Sequence, residues 1–168
     1  MLTEVAFSDI IFVPIQTPHD PLYEGVTRLP ETRVDFDYTW LREGMKELAA
    51  VIDQQEEDKV VIIISTVLPT TIEREIKPVL NPKVELCYNP FFIAMGTVIP
   101  DFLNPEFVLF GVDDDDAAKV AEDFYTTLHD RPFFHTDLKS AELIKVAYNT
   151  YIGMKIVFAN TMMEICHH

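Results

Sequence analysis

The chain has 168 residues, 48% of them hydrophobic, so it can bury a core and is not a disordered tail. Its formal net charge is -15, from 28 acidic and 13 basic residues, which disfavours nucleic acid and anionic membrane surfaces as partners. Two cysteines, Cys87 and Cys166, make no disulfide framework and point to a reducing cytoplasm. No secretory leader is expected at residues 1–9, which lack a basic start. The apolar runs are short, and the one at residues 60–64 stops at Ser65, far short of a membrane span.

Residues 9–14 are β-branched and aromatic up to Pro14, which predicts a buried strand. Residues 14–37 hold Pro14, Pro18, Pro21, Pro30 and Gly25, which predicts a long loop of the kind that often serves function. Leu41, Met45, Leu48 and Ile52 recur at helical spacing, so residues 37–54 read as an amphipathic helix with Asp37 as N-cap. A second buried strand is expected at 59–65, then a helix capped by Thr70 or Thr71 and ending before Pro78.

A third strand is expected at 84–88, a short helix or turn at 91–96, and a fourth strand at 107–110. Asp113 to Asp116 are four aspartates in a row. They lack the spaced ligands and glycine of a calcium loop and read better as the acidic start of a helix at 117–128. A last strand follows at 132–136. From Asp137 one long helix begins, with Ile144, Ala147, Tyr151, Met154, Phe158, Met162 and Ile165 as an apolar stripe. Strands alternating with helices imply a mostly parallel sheet covered on both faces, with ligands at the carboxyl ends of the strands.

Two strand-end loops carry hydroxyls: Thr17 beside Pro18 after the first strand, and Ser65 with Thr66 after the second. Such groups can bond a phosphate, ribose or amide, and they can equally cap a helix or a turn. Lys145 and Asn149 stand four apart on the long helix and share a face with Glu142, Gly153, Ile156 and Asn160. A lysine beside an amide can hold an oxyanion, although a solvated helix face is the commoner meaning of that spacing. Cys87 closes a strand and reads as a small buried hydrophobe rather than a nucleophile. Neither Cys166 nor the terminal His167 and His168 is spaced for zinc.

Taken in order, DIIFVPIQTP (9–18), ISTV (64–67), NPFFIAMG (89–96), DFLNP with FVLFG (101–111) and SAELIKVAYNTY (140–151) resemble the nucleotide-sugar 6-dehydrogenases. This is the NAD-dependent UDP-glucose/GDP-mannose dehydrogenase family. The matching family features are a TP turn, an STV turn, an SPEFLREG-type segment, a DFxxPxxVVIG stretch and an AELIKxxxNT signature. The resemblance implies the second half of a Rossmann-like, doubly wound α/β sheet over residues 1–136. The start of a long central helix, used for dimerisation, would follow at 137–168. It implies oxidation of a C6 alcohol to a carboxylate with two NAD, through a cysteine-bound thiohemiacetal. Thr17, Pro18, Ser65 and Thr66 would border the NAD site. Phe91, Phe92 and Ile93 would border the nucleotide sugar. Lys145 and Asn149 would hold the oxyanion and a water. A homodimer through the central helix is also implied.

The chain departs from that pattern in three ways. Its five glycines, Gly25, Gly44, Gly96, Gly111 and Gly153, form no GxGxxG loop, so the phosphate-binding half is missing. Neither Cys87 nor Cys166 matches the family nucleophile, which lies in a domain beyond these residues. Phe91, Ala94 and Met95 replace a glutamate, an arginine and a second glutamate. The expectation is a dehydrogenase fragment that is not competent alone. The alternative is a stand-alone dimerisation or regulatory module derived from the family.

Overall fold

The computed structural model describes residues 7–25, 28–113 and 115–167. Asp114 of the aspartate run and the terminal His168 lie outside the described residues, as does most of the 1–9 segment read for a leader. The strands β1 (Ile10–Val13), β2 (Lys59–Ile63), β3 (Val84–Tyr88), β4 (Val108–Gly111) and β5 (Phe133–Thr136) form one sheet in the order β1-β2-β3-β4-β5. The pairs β1/β2, β2/β3 and β4/β5 are parallel. All five residues of β2 are buried, as expected for a strand covered on both faces.

Alternation along the strands sends two sets of side chains to two faces. On one face, Ile11, Val13, Val61 and Ile63 pack with Leu41, Met45, Leu48 and Ile52 of helix α1 (Thr39–Ile52). On the other, Val60, Ile62, Cys87 and Phe110 pack with Ala117, Ala118, Ala121 and Tyr125 of helix α3 (Asp115–Thr126). Burial pushes the Cys87 thiol up to about 12, so it serves as core and not as nucleophile. The N-cap of α1 is Tyr38 rather than the expected Asp37, and no side chain caps there; Asp37, one residue earlier, accepts the Thr39 N–H at 2.9 Å.

The β3/β4 step is antiparallel and is made at Tyr88 and Gly111. A parallel step needs a crossover element lying on a sheet face. Between these strands the only helix is the six-residue α2 (Val98–Leu103), and the chain turns back instead. Asn89, buried at the turn, donates to the Leu109 carbonyl at 2.9 Å and accepts the Tyr125 hydroxyl at 2.6 Å. Of the short helix or turn expected at 91–96, the turn is present at Met95 and Gly96, the latter at φ +99°, after irregular chain, and the short helix lies just beyond it. Asp101 steadies this segment, accepting from Ala94 N–H and the Thr97 hydroxyl.

The helix expected after β2 is also different. Residues Ile72–Ile76 form a π-helical turn that runs into a 3-10 turn, Lys77–Val79. Pro78 offers no N–H to continue a regular helix. Neither Thr70 nor Thr71 caps it with a side chain. The N–H groups of Thr70 and Ile72 are taken by the carboxylate of Glu142, from the last helix.

That helix, α4 (Leu138–His167), begins on Asp137, whose carboxylate accepts the Ser140 N–H at 3.0 Å and its hydroxyl at 2.6 Å. Its buried residues are Leu138, Ala141, Glu142 and Lys145. The polar stripe turns inward at the helix start, while Tyr151, Met154, Phe158 and Ile165 of the apolar stripe are exposed. Among the described residues no helix is long and apolar enough to cross a membrane, and no group of acidic, histidine and cysteine side chains is placed to hold a metal. The described aspartates near the start of α3 make ion pairs, Asp113 with Lys77 at 2.7 Å and Asp116 with Lys119 at 3.0 Å.

Candidate functional site

The sheet sets two groups of candidate residues at the carboxyl ends of its parallel strands. After β1 and β2 the hydroxyls stitch the two loops together. Ser65, buried, donates to the Ile15 carbonyl at 2.5 Å, and Thr17 donates to the Thr66 carbonyl at 2.6 Å. Pro18 is exposed, and its carbonyl takes the Asp37 N–H at 2.8 Å. The loop is held further on by Tyr38, whose hydroxyl accepts the Leu68 N–H at 3.1 Å and donates to Asp35 at 2.8 Å. Burial pushes this phenol up to about 12. With their protons spent on the main chain, Thr17 and Ser65 can offer a ligand only acceptor lone pairs.

The second group meets at an open cleft of about 650 Å³ between the chain after β3 and the middle of α4. Phe92, Ile93, Lys145 and Asn149 all line it. Lys145 is only 6% exposed, and its Nζ donates to the Phe91 carbonyl at 2.6 Å and lies 5.0 Å from the centre of the Phe92 ring. No carboxylate pairs with it among the described residues. Burial holds its amine below the usual lysine range. The Phe92 ring is boxed by Phe107 and Tyr148, each at 4.9 Å between centroids. Asn149 stands on the same side of α4, exposed and without a protein partner for its amide among the described residues. Asp101 also lines the cleft, and its bonds from Ala94 and Thr97 hold its carboxyl below the usual range.

Phe91 is the one candidate side chain that leaves this grouping. Its ring packs on Phe102 at 5.4 Å among the α3-side core, and the cleft meets its neighbours instead. What Phe91 contributes is its carbonyl. The two groups of residues do not share one cavity. They are joined through α4, where Glu142 binds the loop after β2 and Lys145, three residues on, faces the cleft. Sequence reading put Glu142 on a polar helix stripe and missed this contact. The available signal was its place between Ala141 and Lys145 on the inward side of the helix start.

A family described as the UDP-glucose/GDP-mannose dehydrogenase family, NAD binding domain, matches residues 1–129. The UDP-glucose 6-dehydrogenase of Rhizobium meliloti is 28% identical over 98% of this chain and 36% of its own length. UDP-glucose 6-dehydrogenase 1 of Oryza sativa is 31% identical over 96% of this chain and 34% of its own. Among solved structures, the ternary complex of GDP-mannose dehydrogenase from Pseudomonas aeruginosa superposes with a TM-score of 0.82 at 25% identity, over 95% of this chain and 36% of that one. A UDP-glucose dehydrogenase from Pyrobaculum islandicum gives 0.80 at 27% identity, over 96% and 36%. The chain thus spans about a third of the length of these dehydrogenases.

Proposed function

The chain belongs to the UDP-glucose/GDP-mannose dehydrogenase family and matches its NAD-binding domain, and on that premise we propose that it is the segment of a nucleotide-sugar 6-dehydrogenase that carries the oxyanion-holding residues. The reaction is the oxidation of a C6 alcohol to a carboxylate, of the UDP-glucose to UDP-glucuronate type. The observation that carries the reading is Lys145: a buried lysine with no carboxylate partner among the described residues, held by the Phe91 carbonyl at the wall of a cleft with Asn149 beside it. We divide the chain into a partial Rossmann-like domain over 1–136 and the start of an interdomain helix over 137–168. Free Cys87 and Cys166 support a cytoplasmic setting.

NAD, when bound, accepts hydride from the sugar carbon. The residues present fit part of such a cofactor. Thr17, Pro18, Ser65 and Thr66 border a polar strand-end site where the Thr17 and Ser65 oxygens offer acceptor lone pairs, suited to an amide or ribose donor. The Gly-rich pyrophosphate loop is not among the 168 residues. On the sugar side, the Lys145 ammonium keeps donors beyond the one given to Phe91. With the Asn149 amide it can hold a negative oxygen at the reacting carbon. Burial strengthens that attraction and also eases loss of the lysine proton. Phe91 has no proton to exchange, so proton transfer at the site falls to other residues of the cleft, Lys145 among them.

Titration calorimetry of the 168-residue chain with NAD is expected to show no saturable binding at micromolar concentrations, because the phosphate cradle is not in it. Tight binding would overturn this division of labour.

The second reading, an assembly module, draws on the exposed stripe of α4, where Phe158 is 67% and Met154 64% exposed. A homodimer through this helix suits both readings. Light scattering should find the chain self-associated, and Met154→Glu with Phe158→Glu should return it to monomer. A wild-type monomer at high concentration would remove the helix as an interface.

A further inference from the structure

Glu142 is 1% exposed, and nothing in the reaction described above uses it. Its Oε1 accepts the Ile72 N–H at 2.8 Å, and its Oε2 accepts the Thr70 N–H. Both donors sit where the chain leaving β2 enters its π-helical turn, whose first N–H groups have no partner within the turn. Thr70 has φ +75°, a left-handed conformation uncommon for a β-branched residue, so something outside the loop must hold it. Two N–H groups converging on one carboxylate are charge-assisted bonds that can do so. Burial pushes the Glu142 carboxyl up, and these two bonds pull it down. Glu142 and Lys145 lie three residues apart on the inward side of one continuous helix.

We propose that Glu142 is a positioning residue: its carboxylate latches the loop that carries Ser65 and Thr66 onto α4, and so sets the cofactor side of the site against Lys145. The proposal rests on the dehydrogenase reading for the meaning of the two sides, but the latch itself is a property of this chain.

It can be tested by NMR on the labelled 168-residue chain. Couplings across the hydrogen bonds should connect the Thr70 and Ile72 amide nitrogens to the Glu142 side-chain carboxyl carbon. In Glu142→Gln the side chain keeps one acceptor oxygen and turns an NH2 toward the other N–H. One of the two couplings should vanish, the amide resonances of residues 66–72 should move, and exchange at Thr70 and Ile72 should speed up by about tenfold or more while β2 keeps its protection. No coupling in the wild-type chain would overturn the proposal, and that result needs no variant to fold. Changes in Glu142→Gln spread evenly through β2 and α1 would also overturn it, since they report general loosening. Failure to detect dehydrogenase activity would remove the reaction and leave the latch standing. Failure to detect the latch would leave the reaction untouched.

Discussion

Replacing Lys145 with alanine should lower the rate of NADH formation by a dehydrogenase carrying this segment about a hundred- to a thousandfold, the usual effect of removing one donor from an oxyanion site. The size follows from burial. The residue is 6% exposed and has no carboxylate to neutralise it among the described residues, so its field on the cleft is little screened. The loss should fall mainly on kcat, because the interaction grows as charge develops on the substrate oxygen. Lys145→Arg should not restore it, since a planar guanidinium cannot sit on the Phe91 carbonyl and against the Phe92 ring in the same way. Activity should also fall on the alkaline side at a pH below the ordinary lysine range, because burial makes the ammonium easier to deprotonate. Steady-state kinetics of the two variants check this, and wild-type turnover in Lys145→Ala would remove the role given to the lysine.

Replacing Gly111 with alanine should cost about 1–3 kcal/mol, the range for overfilling a packed site. A Cβ on Gly111 would lie 2.6 Å from the Ala141 Cβ and 3.3 Å from the Leu138 Cα. The second of these is backbone in the first turn of α4, so relief requires the helix start to move. The next turn presents Glu142 and Lys145, so the variant should disturb the site as well as the fold. Denaturant unfolding would read the stability loss, and unchanged stability would mean that β4 and α4 are less tightly apposed than the contact distances indicate.

Much of this was legible in the sequence where one local rule decided the outcome. The five strands were placed by short β-branched or aromatic runs, and α1 by the spacing of Leu41, Met45, Leu48 and Ile52, because burial alone sets those patterns. What long-range contacts decide was not legible. The antiparallel β3/β4 step depends on Asn89 and Tyr125, which are 36 residues apart. The form of the turn after β2 depends on Glu142, 70 residues beyond Ile72. Lys145 and Asn149 were singled out by resemblance, their spacing alone reading as a solvated face, and the structure sets them with Phe92 and Ile93 around one cleft. The Phe91 ring went elsewhere because Phe102 offers it a buried aromatic face, which no local pattern announces. On α4 the sheet takes only the helix start, with Glu142 and Lys145 inward, and the apolar stripe beyond it stays exposed, which periodicity alone does not announce.

We propose that these residues form the oxyanion-holding part of a nucleotide-sugar dehydrogenase. The most direct test is to express the coding frame that contains this segment and count NADH formed per UDP-glucose consumed. Two NADH per sugar, with UDP-glucuronate as product, is the predicted result. No NADH from UDP-glucose or from GDP-mannose, with a folded protein and NAD present, would contradict it.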